Sequence, residues 1–260
     1  KVSTLDSLFI QAVHNPLLRE NSAKASCTVT TNVAKENHGG NHFMIPFFFG
    51  EEWTKALPIV ALQYHEVEIR IKFRDGYTPR GSPKVFGNYI YLDTDERKYF
   101  TDTEHEILFT QTQYQPASPT DNEFDLTYFN HPVKSVHLVS GQAAGQPWYD
   151  EYTFGTSSFF INGTPLFENT SNVYHHNVVP QMHCTDLPDD VLDDLPVYSW
   201  PFCLSMSKPQ PTGTLNFSRI DSAKLIVNNV SGGNVLHRVY AVNYNILKIK
   251  NGMAGVAFGN

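Results

Sequence analysis

Residues 67–73 alternate without a break: Val67, Ile69, Ile71 and Phe73 are apolar, and Glu68, Arg70 and Lys72 between them are charged. In an extended chain a repeat of two puts the apolar set on one face and the charged set on the other, the pattern of a half-buried strand. The repeat returns near the end, where Tyr240, Val242, Tyr244 and Ile246 share a face. Shorter candidate strands lie at 43–49, 85–92, 107–113, 124–129, 133–139, 157–161, 174–179, 197–204 and 223–228. Most are rich in β-branched and aromatic residues and bounded by Gly, Pro, Asn or Asp. Helical periodicity is weak, with a turn or two expected at 95–100 and 187–195. Many short strands with Gly/Pro-rich connections predict an all-β chain, a jelly-roll sandwich.

Composition narrows the function classes. The 260 residues carry 19 Lys+Arg against 26 Asp+Glu, a net charge of -7, so direct nucleic-acid binding through a basic surface is disfavoured. Hydrophobic residues at 41% suffice for a packed core, and charged residues at 17% are too few for a disordered chain. No apolar run is long enough to cross a bilayer as a helix. Cys27, Cys184 and Cys203 are odd in number and lack CxxC spacing, which argues against a disulfide framework or a thiolate zinc site and fits a reducing compartment. No signal-peptide pattern is present. The chain opens at Lys1 without a Met, which reads as a fragment or a processed product.

The stretch 75–83, with Gly76, Pro79, Gly81 and Pro83, is the best boundary. It divides the chain into residues 1–78 and 79–260. The second part holds about eight core strands, enough for a jelly roll. The first has only about two or three behind a polar stretch, too few to close a sandwich alone.

Candidate chemistry is thin. His175 and His176 are adjacent, so on a strand they point to opposite faces, and His183 and Cys184 share that problem. A cupin-type metal site needs two His at i, i+2 on one face, so these read as structural or surface residues and no metal or cofactor is expected. His65-Glu66 and His105-Glu106 lack the second His of a zinc-protease helix, with Ile69 and Phe109 in its place. The acidic run Asp186, Asp189, Asp190, Asp193 and Asp194 lacks the central Gly and distal Glu of a calcium loop. No catalytic constellation emerges, and the chain is not expected to be an enzyme. Asn162, Asn169, Asn216 and Asn229 begin N-x-S/T tripeptides. Asn216 reads as part of a strand edge, whereas Asn162, Asn169 and Asn229 read as loop positions and candidate glycosylation sites. Arg219 and Asp221 are two apart, so on a strand they share a face and form a candidate structural or interface pair. Trp53, Trp148, Tyr149 and Trp200 are candidates for a sugar platform on a carbohydrate-binding module.

Several segments together are more specific than these motifs. Pro46-Phe47-Phe48-Phe49 and the run from Ala56 through Leu57-Pro58-Ile59-Val60-Ala61-Leu62-Gln63-Tyr64-His65-Glu66-Val67 resemble the end of the first jelly roll in major capsid proteins of nucleocytoplasmic large DNA viruses. Gly87-Asn88-Tyr89 with Asp93-Thr94-Asp95-Glu96-Arg97 resembles the entry to their second jelly roll, and Phe129-Asn130-His131-Pro132-Val133-Lys134 the strand pair that follows. Pro211-Thr212-Gly213-Thr214-Leu215-Asn216-Phe217-Ser218-Arg219-Ile220-Asp221 is similar to the family's most recognisable signature. The segments from Tyr240 to Leu247 and from Asn251 to Gly255 are similar to its C-terminus. The resemblance covers residues 43–260, and residues 1–42 carry none.

The resemblance implies a double jelly roll of which 79–260 is the second and 1–78 holds the C-terminal part of the first behind an unassigned stretch. It implies a structural coat protein of an icosahedral virion, a homotrimer with pseudo-hexagonal outline, assembled in the host cytoplasm. The implied partners are copies of itself, neighbouring capsomers, minor capsid proteins and an internal membrane layer, with no direct contact to nucleic acid. The alternative is a jelly-roll binding module, carbohydrate-binding or cupin-like.

Overall fold

The structure, a computed structural model, describes residues 2–19, 45–73, 75, 84–117, 122–142, 153–185, 187, 197–231 and 235–259. Its centre is a 16-residue strand, β9 (Val235–Lys250). One edge of β9 pairs antiparallel with β1 (His105–Ala117), from His105 opposite Ile249 to Ala117 opposite His237. The other edge takes β3 (Pro132–Gln142) along its first half and β10 (Met253–Val256) at its end. β6 (Val197–Pro201) and the two-residue β7 (Leu215–Asn216) pair with β3. A second antiparallel sheet runs β2 (Glu123–Asp125), β8 (Ala223–Asn228), β4 (Thr156–Ile161), β5 (Thr164–Ser171).

The two sheets face each other across the main core. β8 alternates, with Ala223, Leu225 and Val227 buried and Lys224 and Asn228 exposed. From the other sheet come Val136 and Leu138 on β3, Trp200 on β6, and Val239 and Ala241 on β9, with Phe154 and Phe159 filling the gap. Trp200 and Phe159 are fully enclosed; burying each such side chain contributes about 1.5–3 kcal/mol.

The opposite face of the larger sheet is covered as well. Val139, Val197, Tyr240 and Val242 pack under a short N-terminal helix, α1, whose stretches Ser7–Phe9, Ile10–His14 and Asn15–Leu17 run on from one another, the middle one π-wound. Phe9, Ala12, Val13 and Leu17 are its buried stripe. This spacing of three, one and four is a helical face, and it lies within residues 1–42, for which no family likeness is expected from the motifs. Farther along β9, Leu247 and Ile249 join Ile107 and Phe109 under Ala61, Phe48 and Leu57. Both faces are therefore buried along β3 from Val133 to Val139 and along β9 from Val239 to Asn245.

Helix α2 (Thr94–Asp102) precedes β1. The Asp93 side chain accepts from the Glu96 N–H at 2.9 Å, and the Glu96 carboxylate accepts from the Asp93 N–H at 3.0 Å. This capping box satisfies two otherwise orphan donors, and the helix outruns the turn expected at 95–100. Two hairpins close on Asn-Gly: Asn162-Gly163 joins β4 to β5 and Asn251-Gly252 joins β9 to β10, all four residues at positive φ. This is the two-residue loop whose twist matches paired strands.

Four strand expectations need correction. Residues 67–73 form no helix, turn or bend but have no sheet partner among the described residues, and their apolar side chains are 39–46% exposed. The alternation is real, but the surface it would be buried against is not among the described residues. Residues 85–92 likewise have no sheet partner among the described residues, and 85–91 are exposed. Of 43–49, the described part ends in a single 3-10 turn, Phe48–Gly50. Residues 174–179 are helical, in α3, formed by the π-wound Tyr174–Val178 and the regular Val179–His183. Here Pro180 suits a first helical turn, and the His ring nitrogens reach carbonyls a strand could not offer them. The turn expected at 187–195 lies almost wholly outside the described residues.

Candidate functional site

The exposed apolar surface gathers on the N-terminal half. Phe86 is 86% exposed and Tyr91 88%, and Val85, Tyr89 and Ile90 on the same unpaired segment are exposed too. Together with Val67, Ile69 and Ile71 they make two exposed stretches without a sheet partner among the described residues. Among the described residues nothing covers these side chains. Neither stretch is loose at its base. The Tyr64 N–H donates to the Gly252 carbonyl at 3.0 Å, and the Ala254 N–H donates to His65 Nδ1 at 3.0 Å. Arg97 Nε donates to the Leu92 carbonyl at 2.9 Å.

A part-buried polar cluster ties the N-terminal segments together. The Glu51 carboxylate takes His14 Nε2 at 3.0 Å and Lys55 Nζ at 3.4 Å. Burial pushes the Glu51 pKa up, but hydrogen bonds and charge from His14 and Lys55 outweigh it and the net shift is downward. α1 is thus clamped to the 48–55 turns. In the larger sheet, Lys134 is almost fully buried, donates from Nζ to the Lys208 carbonyl at 3.3 Å and stands 5.7 Å from the centre of the Tyr244 ring. Desolvation lowers its pKa. His137 is fully enclosed between Ser135 Oγ and Ser199 Oγ, each 2.8 Å away. Burial first, and Lys134 second, push its pKa down to about 3, so the ring is neutral. His137 thereby ties β3 to β6, and Lys134 ties β3 to the segment at Lys208.

The histidines singled out in the sequence act as staples. His175 Nδ1 donates to the Ser199 carbonyl at 3.1 Å and His176 Nδ1 to the Val197 carbonyl at 2.9 Å, fastening α3 to β6. His183 Nδ1 lies 3.1 Å from the Cys203 carbonyl. Burial pushes the Cys184 thiol up to about 12, and its Sγ donates to the Leu17 carbonyl. Among the described residues no three metal-ligating side chains converge.

Of the candidate glycosylation sites, Asn162 sits at the β4–β5 turn and Asn229 just past β8, both exposed as expected of loops. Asn169 is a correction: it lies inside β5, exposed, at φ 47 in a strand whose pairing to β4 is irregular. The Asn-Gly pair at 162–163 was the signal for the missed strand β5. Arg219 and Asp221 do not share a strand face. Phe217–Arg219 is a 3-10 turn, which breaks the repeat of two, and the two exposed side chains make no ion pair with each other. The Asp221 N–H donates instead to Asn162 Oδ1 at 3.0 Å. Trp200 is in the core, Trp53 is 81% exposed, and Trp148 and Tyr149 lie outside the described residues, so the described tryptophans do not form one platform.

Comparison with known proteins places this architecture. Residues 96–255 match the family described as the large eukaryotic DNA virus major capsid protein, and residues 2–93 match the major capsid protein N-terminus, which extends the likeness into the stretch before residue 43. The chain is 35% identical over 246 residues to the major capsid protein of Pyramimonas orientalis virus, covering 83% of this chain and 60% of that protein. It is 27% identical to the major capsid protein of Paramecium bursaria Chlorella virus 1, covering 84% of this chain and 67% of the relative. The chain therefore spans about three fifths to two thirds of these relatives' lengths. The crystal structure of PBCV-1 VP54, fitted into a reconstruction of the virophage Sputnik, superposes with a TM-score of 0.65 at 23% identity, over 95% of this chain and 78% of that one. The sandwich is thus the jelly roll of the double jelly-roll capsid fold. With its family signature matched over more than half its length, this chain belongs to the large eukaryotic DNA virus major capsid protein family.

Proposed function

We propose that this chain is a structural coat subunit, without enzymatic activity, that builds the outer shell of a large icosahedral DNA virus. The observation that carries the reading is the doubly covered sandwich of residues 105–256 within a family whose members are named capsid proteins. A shell subunit needs a rigid body and adhesive surface. The first is supplied by the enclosed core and the buried His137 and Lys134 network, and the second by the exposed segments at 65–73 and 84–92.

In this reading three copies form a capsomer of pseudo-hexagonal outline, residues 79–260 are the second jelly roll, and residues 1–78 hold the end of the first. The subunit meets neighbouring capsomers and minor capsid proteins in the virion. The net charge of -7 disfavours direct contact with the genome, and the inner face meets other capsid proteins or an internal membrane layer. Assembly takes place in the host cytoplasm. The candidate glycosylation sites Asn162, Asn169 and Asn229 are all exposed, which is compatible with modification.

Light scattering on the purified natural protein, with electron microscopy of particles, tests this. A trimer that is also a shell component is the expected result. A stable monomer at micromolar concentration that is missing from purified virions would overturn the coat reading and return the jelly-roll binding module.

A further inference from the structure

Three polar atoms inside the sandwich have no hydrogen-bond partner among the described residues: His175 Nε2, Trp200 Nε1 and Ser157 Oγ. All three side chains are sealed, each at 0% exposure. A buried donor or acceptor left unpaired forfeits the hydrogen bonds it makes to water in the unfolded chain, so such groups are nearly always satisfied in a native fold.

The three belong to one place in the fold. His175 enters between the outer strands of the two sheets, β6 of the larger and β5 of the smaller. Its ring centre lies 4.7 Å from that of Trp200 on β6 and 5.6 Å from that of Phe167 on β5. Nδ1 donates to the Ser199 carbonyl at 3.1 Å, which leaves Nε2 a bare acceptor. The two nitrogens lie on opposite sides of the ring, so Nε2 turns away from the β6 backbone toward the smaller sheet. Ser157 stands on that sheet, on the same face of β4 as Phe159 two residues later. Phe159 lies opposite Phe167, and its ring centre is 6.4 Å from that of Trp200. On the other side of Ser157, the Phe154 ring meets Tyr198 at 4.4 Å, two residues before Trp200. Ser157 is thus the small side chain between two aromatic contacts that bridge the sheets. Packed sheets stand about 10 Å apart, a gap that phenyl rings fill and a hydroxymethyl group does not.

We propose that one water molecule is bound there as a fixed part of the fold, accepting from Trp200 Nε1–H, donating to His175 Nε2 and sharing a third hydrogen bond with the Ser157 hydroxyl. The site offers one N–H donor, one bare acceptor and one hydroxyl that serves as either, and water answers all three. An anion would meet the Nε2 lone pair, and a metal cation would meet the indole N–H, which only donates. About three hydrogen bonds is the usual complement of a buried water. The water joins α3 and β6 to β4 across the sandwich, closing its open side from within. The site draws only on described residues of the two sheets and α3, goes beyond the coat-subunit reading and stands without it.

NMR of the isotope-labelled 260-residue chain tests this. The Trp200 indole N–H, assigned by its loss in Trp200→Phe, should show a cross-peak to water with the sign of a water held longer than the protein takes to tumble. The same proton should exchange slowly with bulk deuterium, which separates a trapped water from transient opening. The Trp53 indole, 81% exposed, is the control and should exchange fast. Ser157→Val, which fills the space with methyl groups, should abolish the cross-peak. Ser157→Ala, which leaves two partners and more room, should keep it. Absence of the cross-peak at Trp200 in the unaltered chain would overturn the proposal, and so would a coupling that joins His175 Nε2 directly to the indole or to Ser157. A cross-peak that survives Ser157→Val would put the water elsewhere and overturn the site. Should Ser157→Val fail to fold, the unaltered chain and Ser157→Ala decide between these outcomes.

Discussion

At the scale of single residues, asparagine carries the tight geometry of this fold. Asn162, Asn169, Asn229 and Asn251 stand at φ 48, 47, 56 and 52, a region that other L-residues occupy at a cost of about 1–2 kcal/mol. Asn162 does more: its Oδ1 accepts from the N–H groups of Asp221 and Ser222, both at 3.0 Å, and so ties the β4–β5 turn to the entry of β8. Asn162→Ala should therefore lower stability by about 2 kcal/mol in urea unfolding. An unchanged midpoint would leave Asn162 with a modification role only. His137 gives a pH prediction. Its pKa is near 6.5 when unfolded and about 3 in the fold. The stability gained by keeping it neutral is complete above 6.5 and drains as pH falls from 6.5 toward 3, because the unfolded chain binds a proton that the fold refuses. Between pH 7 and 5 this removes about 2 kcal/mol. His175, pushed down to about 4 by burial, adds to the loss. His137→Gln should flatten the pH dependence of the urea midpoint by that amount, and a parallel slope would show that His137 is not the group that titrates.

At the scale of elements, two short pieces hold more than their length suggests. The Asn251-Gly252 turn presses against residues 63–64, where a Cβ on Gly252 would come within 2.7 Å of the Tyr64 ring and 3.1 Å of Gln63 Cβ. Gly252→Ala should cost about 1–2 kcal/mol from backbone strain and should also push Tyr64 off the turn. Its signature is faster amide exchange at Tyr64 than in wild type, whereas strain confined to the turn would leave that amide protected. Helix α1 is the second piece. Phe9 is 1% exposed and its ring lies 5.3 Å from that of Tyr240. Phe9→Ala should cost about 3–5 kcal/mol if α1 stays docked. A much smaller loss in thermal unfolding would mean that α1 lifts off without dragging the sandwich with it.

At the scale of the whole molecule, the sandwich and its cover come from different stretches of chain. The main core is drawn wholly from residues 124–241, whereas the clusters under α1 and around Ala61 need residues 5–62. A fragment of residues 79–260 should keep its β signature and still unfold cooperatively, but with Val139, Tyr240, Val242, Phe109 and Ile249 uncovered it should melt lower and bind a hydrophobic dye. A fragment as stable as the whole chain, with no dye binding, would show that the N-terminal cover contributes nothing. The complementary piece, residues 1–75, has no sheet of its own among the described residues and should be unfolded or aggregate.

Alternation and turn chemistry were enough to read β1, β3, β4, β8 and β9 from the sequence, because their burial pattern repeats locally in the chain. The segment similarity was enough to reach the family, because it rests on ordered motifs rather than on contacts. The segment at 67–73 shows where local pattern stops: its alternation states which face would be buried and says nothing of whether a partner strand is there. Residues 174–179 show the same limit in reverse, since β-rich composition there gave way to a helix that two histidines fasten to β6. The Arg219–Asp221 pair was lost to a single 3-10 turn. Propensity and period act over a few residues of chain and were fixed by the sequence itself. The pairing of β1 with β9 and the docking of α1 on Tyr240 join residues more than a hundred positions apart, so only the tertiary structure decided them.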